Sequence, residues 1–258
     1  MAEPEIEGTD ISLRAAEVAS DVSETDRPQE RRRLVSAFTR AVTTSARAAG
    51  RGTRAVRRRA SDGTGWLADR VVAMAPRLRV RDQAALQAQF PGKSPDEIAD
   101  ALIEGATRAA AAAGGAAGMA AALPVLPAFP AEIAAETLIL VGVELKLVAE
   151  LHEAYGSPAP GKFTERMSAY VAAWSHRRGV FMIEGGLIFA AGSPLARLLR
   201  RRLVGRAGRS AFSLGPMLTG AAAGALFNRR ETRKLGREIQ RDLRRRAIEG
   251  PKGPWWQK

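Results

Sequence analysis

The chain has no cysteine, two histidines, and few aromatic residues: four Trp, two Tyr and eight Phe in 258 positions. Without cysteine there are no disulfides, no thiolate metal sites and no thiol catalysis. His152 and His176 cannot build a histidine-rich metal cluster, so no metal and no cofactor is expected. Phosphate-cradling glycine loops are missing too. Neither G-x-G-x-x-G nor G-x-x-x-x-G-K-[ST] occurs in the strand–loop–helix context that gives it meaning. There is no G-x-S-x-G nucleophile elbow and no H-E-x-x-H helix. The opening MAEPEIEGTD is acidic and has no apolar h-region, so no secretory signal is expected. The expected location is the cytoplasm, peripheral on the inner face of the cell membrane.

What the chain does have is positive charge. The formal net charge is +13, and lysine supplies only 6 of the 40 basic residues. Such an excess favours an anionic partner: an anionic membrane surface, an acidic membrane protein or, alternatively, nucleic acid. The charge is segregated. Residues 1–29 carry a net of −6 and residues 30–60 a net of +9. Large apolar residues are scarce before Leu34, so residues 1–29 are expected to be a disordered acidic tail that can mask the basic segment. Residues 30–90 read as a basic helical arm. At helical spacing Leu34, Phe38 and Val42 share one side, while Arg33, Arg40 and Arg47 recur every seven residues on the other. This is the pattern of a helix on an anionic surface, or of a helix packed on its own domain with a solvated basic face.

Two long stretches, 109–131 and 210–228, carry no charge and are built largely from Ala and Gly. Gly114-x-x-x-Gly118 and Gly220-x-x-x-Gly224 have the spacing that lets helix backbones approach closely. Pro124, Pro127 and Pro130 argue against a simple membrane span in the first stretch. Helix signals recur along residues 91–248. Ser94-Pro95-Asp96-Glu97 is a capping-box start for a helix expected to stop at Gly114-Gly115. A long apolar helix is expected over about 131–155, and a one-sided helix carries Phe163, Met167, Tyr170, Val171 and Trp174. A last helix runs from about Pro216 to Ala247, with Leu235, Ile239 and Leu243 as its apolar stripe. No segment shows convincing strand alternation. The fold class is therefore all-α, a helical bundle with close-packed Ala/Gly-rich central helices. Residues 249–258 form a tail whose Trp255 and Trp256 stand beside lysines, as interface anchors do.

Gly114–Gly156 runs from an Ala/Gly-rich helix through a proline-rich turn into a long apolar helix closing on Tyr-Gly. Gly215–Glu238 runs from a Gly/Ala helix to Asn228, the pair Arg229-Arg230 and Gly236. In order and spacing these segments resemble the two signatures of the EcsC family, over roughly residues 94–247. The resemblance implies an α-helical bacterial domain that is sometimes membrane-associated. It transfers no catalytic residue.

Candidate chemistry is sparse. On the helix at 131–155, Glu132, Glu136, Lys146, Glu150 and Glu153 fall on one polar stripe, whereas Glu144 and His152 project from apolar surface. Glu184 stands alone in an apolar run. Glu144, His152 and Glu184 could serve a ligand-binding or hydrolase-like bundle. They could equally be a satisfied core salt bridge and a core histidine. The leading expectation is a non-enzymatic, membrane-peripheral helical protein. Its contacts would be Arg33, Arg40, Arg47, Arg200, Arg201, Arg202, Arg229 and Arg230.

Overall fold

In the computed structural model, the described residues are 3–49, 67–120, 129–183, 186–189 and 216–249. The architecture is all-α with one small hairpin. The helices are α1 (Glu3–Glu24), α2 (Pro28–Ala49), α3 (residues 67–74), α4 (Gln83–Gln89), α5 (Pro95–Ala120), α6 (Phe129–Ala154), α7 (Phe163–Arg178) and α8 (Pro216–Glu249). A 3-10 turn, Ala75–Arg77, follows α3 where Pro76 stops it. Strands β1 (Val180–Ile183) and β2 (Gly186–Phe189) pair antiparallel, with Val180 opposite Phe189 and Ile183 opposite Gly186. The strand pair leaves the all-α class unchanged, and the sequence carries no alternation signal for it. Its strands VFMI and GLIF are continuously apolar, so they lack the alternation that marks a half-exposed strand.

Helix α6 is the centre of the bundle, and α1, α2, α4, α5, α7 and α8 all pack against it. Every residue from Ala135 to Ala154 is buried. Leu138, Ile139, Leu145, Leu147 and Leu151 are among its largest enclosed side chains. The polar stripe expected along this helix exists, but Glu136, Lys146, Glu150 and Glu153 face other helices rather than solvent.

The capping box before α5 forms as expected. The Ser94 N–H donates to Glu97 Oε2 at 2.9 Å, and the Glu97 N–H donates back to Ser94 Oγ at 3.4 Å. The stop at Gly114-Gly115 does not occur, and α5 continues to Ala120. Gly114 serves packing there: a Cβ on it would lie 2.7 Å from the Gly224 carbonyl oxygen and 2.8 Å from Asn228 Nδ2. The two glycines meet because α5 and α8 run antiparallel along the most extensive helix contact described. Gly236 meets Ile103 in the same way further along. Leu235, Ile239 and Leu243 line the buried face of α8 as expected. Ala222 and Leu226 face outward.

The acidic N-terminal segment is the main correction. It forms α1, and Ser12, Ala15, Ala16, Ala19, Ser20 and Val22 are buried. Small residues build this face, so a search for large apolar side chains misses it. Ala19 fits against Gly142 of α6, where an added Cβ would sit only 2.6 Å from the Ala19 Cβ. Nor does the chain divide at residue 90. Val35 and Phe38 of α2, and Leu67, Val71, Met74 and Leu78, belong to the same core as α5, α6 and α8. The start of α2 is tied to the end of α1 by Arg31. It is buried and donates from Nε to the Val22 carbonyl at 3.1 Å, with Asp26 3.6 Å from its other end.

Candidate functional site

The polar groups buried around α6 are the densest concentration of chemistry in the described residues, and they fall into three clusters. Glu144 is at the first. It receives Arg178 through both oxygens: Nε reaches Oε2 at 2.9 Å, and the second guanidinium nitrogen reaches Oε1. Trp174 Nε1 donates to Oε2 at 2.8 Å, and Thr232 Oγ1 donates to Oε1 at 2.9 Å. Glu231 stands 3.5 Å from the far side of Arg178. Residues Trp174 and Arg178 are one turn apart on α7, and Glu231 and Thr232 are neighbours on α8. The carboxylate is thus clamped between two helices.

The second cluster lies at the other side of α6. Lys146, 1 % exposed, pairs with Glu150 at 2.6 Å and with Glu24 of α1 at 3.0 Å, and donates to the Arg79 carbonyl. Glu150 in turn takes a bidentate contact from Arg81, at 2.8 Å from Nε and 2.6 Å from the terminal nitrogen. Spacing of i to i+4 on one helix puts Lys146 and Glu150 together. The extended stretch after the 3-10 turn brings Arg79 and Arg81 across them.

The third cluster contains His152. Its Nδ1 lies 2.7 Å from the Val148 carbonyl one turn back. A carbonyl only accepts, so Nδ1 carries the proton. The ring packs against Tyr170 with centroids 5.3 Å apart. Burial drives its pKa down to about 4, which keeps it neutral. Next to it, burial lifts the Glu153 carboxyl above its ordinary range against the pull of Arg166, 2.7 Å away. Tyr155 is likewise raised, by burial and by its hydrogen bond to Asp96. Asp96 is held low chiefly by Arg244.

The structure therefore seats Glu144 and His152 in separate clusters with separate partners. A general acid or base must exchange its proton with a reacting group within hydrogen-bond reach. Both oxygens of Glu144 face protein donors instead, and the His152 Nδ1 faces its own helix. Asn228, from the EcsC-like segment, is also internal. Its Nδ2 lies 3.4 Å from both the Ala110 carbonyl and Glu136 Oε1, bridging α5 and α6. Among the described residues, no group of three or more His, Asp or Glu has the arrangement of a metal site.

Of the residues expected at a polyanion surface, Arg33, Arg229 and Arg230 are exposed. Arg40 and Arg47 belong to α2, but their side chains lie outside the described residues, as do Glu184, Arg200, Arg201, Arg202, Trp255 and Trp256. Gly118 and Gly220 are helical, in α5 and α8, and their surroundings are outside it as well. Sequence reasoning missed Arg31 and Arg178, which are buried, and Arg81, which is half-buried; they pair with α6 or tie α1 to α2. A guanidinium that ends against a buried carboxylate is indistinguishable in the sequence from one that ends in solvent. No described helix is long and apolar enough to cross a membrane.

Three further arginines of α8 meet an acidic edge on α5. Asp96 pairs with Arg244 at 2.5 Å, Asp100 with Arg237, and Glu104 with Arg233 at 2.7 Å. The acids are spaced by one helical turn, and their partners descend α8 as the acids ascend α5. Comparison of the chain with protein-family models, with curated proteins and with solved structures returns no match.

Proposed function

We propose that this is a non-enzymatic, membrane-peripheral helical protein of the EcsC type, which engages an anionic lipid surface or an acidic membrane-protein partner. The observation that carries the reading is how the acids are used. Asp21, Glu24, Asp26, Asp96, Asp100, Glu104, Glu144, Glu150, Glu153 and Asp242 each pair with a basic group inside the protein. The excess of +13 is then left to outward arginines such as Arg32, Arg33, Arg229 and Arg230. An outward cationic excess draws the protein to an anionic surface at the inner face of the cell membrane, where each basic group near the lipid adds about 1 kcal/mol. In this reading Arg40, Arg47 and Arg200–Arg202 serve as further contacts and Trp255 and Trp256 as anchors, on the grounds of the sequence alone. The internal engagement of Glu144 and His152 weighs against the hydrolase-like alternative.

The test is fractionation of a cell lysate. The protein should sediment with membranes and be released by a salt wash, because exposed charge contacts are screened. Recovery in the supernatant at low salt would refute the reading. Purified protein should partition onto phosphatidylserine-containing vesicles and not onto neutral ones.

A further inference from the structure

Helix α8 has an outward stripe with an unusual composition. At 100° per residue, Arg229, Arg230, Arg233, Arg237, Arg241, Arg244 and Ile248 fall within about 60° of Leu226. The four acids of the helix, Glu231, Glu238, Asp242 and Glu249, fall about 120–160° away. The stripe is thus free of acids contributed by its own helix, while Asp96, Asp100 and Glu104 of α5 border its middle through Arg244, Arg237 and Arg233. Leu226 and Ile248 are 63 % and 79 % exposed, more than the other exposed large apolar side chains among the described residues. They stand at the two ends of the stripe, about 33 Å apart along the axis.

We propose that this stripe is the face that rests on an anionic bilayer. α8 lies parallel to the surface, with Leu226 and Ile248 entering the headgroup–acyl boundary at its ends. The inference rests on the membrane-peripheral reading and names its contact surface. Arginine stems can lie along apolar surface while their heads meet lipid phosphates, which suits a helix seated at that boundary. Three features select α8 and lipid. First, among the described side chains of α2, Arg32 and Arg33 stand outward beside Glu30, while Val35 and Phe38 are turned into the core. Second, Arg233, Arg237 and Arg244 are already drawn towards the acids of α5, so attraction falls on Arg229, Arg230 and Arg241, which are exposed. Third, duplex nucleic acid could use the arginines but would leave Leu226 and Ile248 in water, whereas a bilayer uses both kinds of residue.

The absence of cysteine makes the test direct. The full chain is prepared as Leu226→Cys and, as a control on α1, Leu13→Cys, each carrying an environment-sensitive fluorophore. Vesicles are phosphatidylserine–phosphatidylcholine at low salt. The label at 226 should shift to shorter wavelength and be quenched by acyl-chain quenchers, while the label at 13 stays in water. The triple variant Arg229→Gln, Arg230→Gln, Arg241→Gln should lower partitioning roughly 100-fold. If the wild type binds vesicles but the label at 226 stays aqueous, the surface is misassigned and the membrane reading stands. If the wild type fails to bind vesicles, both fall, and tight binding to duplex DNA in that case would put nucleic acid in their place.

Discussion

Glu144 and His152 are both polar residues on the buried central helix, and they respond to change in opposite ways. Glu144 is charged and clamped, so truncation leaves Arg178 buried without its partner. Glu144→Ala should cost about 3–5 kcal/mol in urea unfolding. Replacing Glu144 and Arg178 together by methionine should cost clearly less, since the stranded charge goes with its partner. A double variant as unstable as the single one would mean that Trp174 and Thr232, not the ion pair, set the energy. His152 is neutral, with its folded pKa at about 4 against 6.5 for the free side chain. Between those values the unfolded chain holds the extra proton. Stability is therefore complete above pH 6.5 and falls as pH drops towards 4, by about 3 kcal/mol from this group. His152→Gln should flatten that part of the stability–pH curve. An unchanged slope would assign it to other groups.

At the scale of elements, the contact between α5 and α8 was partly legible. The spacings Gly114-x-x-x-Gly118 and Gly220-x-x-x-Gly224 announced close helix approach, and of these four Gly114 and Gly224 meet. The sequence could not say that Gly114 and Gly115 lie inside a continuous helix, because glycine is also how helices end. The two adjacent glycines of α5 separate these roles. Gly114→Ala drives a methyl into the Gly224 backbone, which cannot rotate away, and should cost about 1–3 kcal/mol. Gly115→Ala meets only the Ala225 Cβ at 3.9 Å. It removes a flexible residue from a helix interior and should be neutral or stabilise by up to about 1 kcal/mol. Melting temperatures that move in the same direction for both would contradict the packing described. The ion pairs of Asp96, Asp100 and Glu104 add little energy individually, because all are substantially exposed. What they fix is the register in which α8 presents its outer stripe.

For the whole molecule, the sequence was misread where burial is achieved with small side chains. Met167, Tyr170, Val171 and Trp174 marked the core of α7, and Leu235, Ile239 and Leu243 that of the second half of α8, since large apolar residues at helical spacing have few other uses, whereas Phe163 at the start of α7 is exposed. The N-terminal segment looked too polar to fold. Its acids are instead placed where they pair, Asp21 with Arg79, Glu24 with Lys146, and Asp26 with Arg31 and Arg108. Of these partners only Arg31 belongs to the basic segment at 30–60, so the described contacts show a helix that closes the bundle rather than one that masks that segment. Ala19 sits against Gly142, where an added Cβ would lie 2.6 Å from the Ala19 Cβ and 3.4 Å from Met74 Sδ. Ala19→Leu has no room there and should lower stability by about 1–3 kcal/mol. The effect should be uneven in native-state amide exchange. Amides of residues 15–24 should lose protection first, whereas those of α5 and the second half of α8, held by their own contact, should change only with the global stability. Lys146 would then lose Glu24 but keep Glu150, so α6 should remain folded. Exchange in residues 15–24 that is fast already in the wild type would restore the disordered tail and remove α1 from the core.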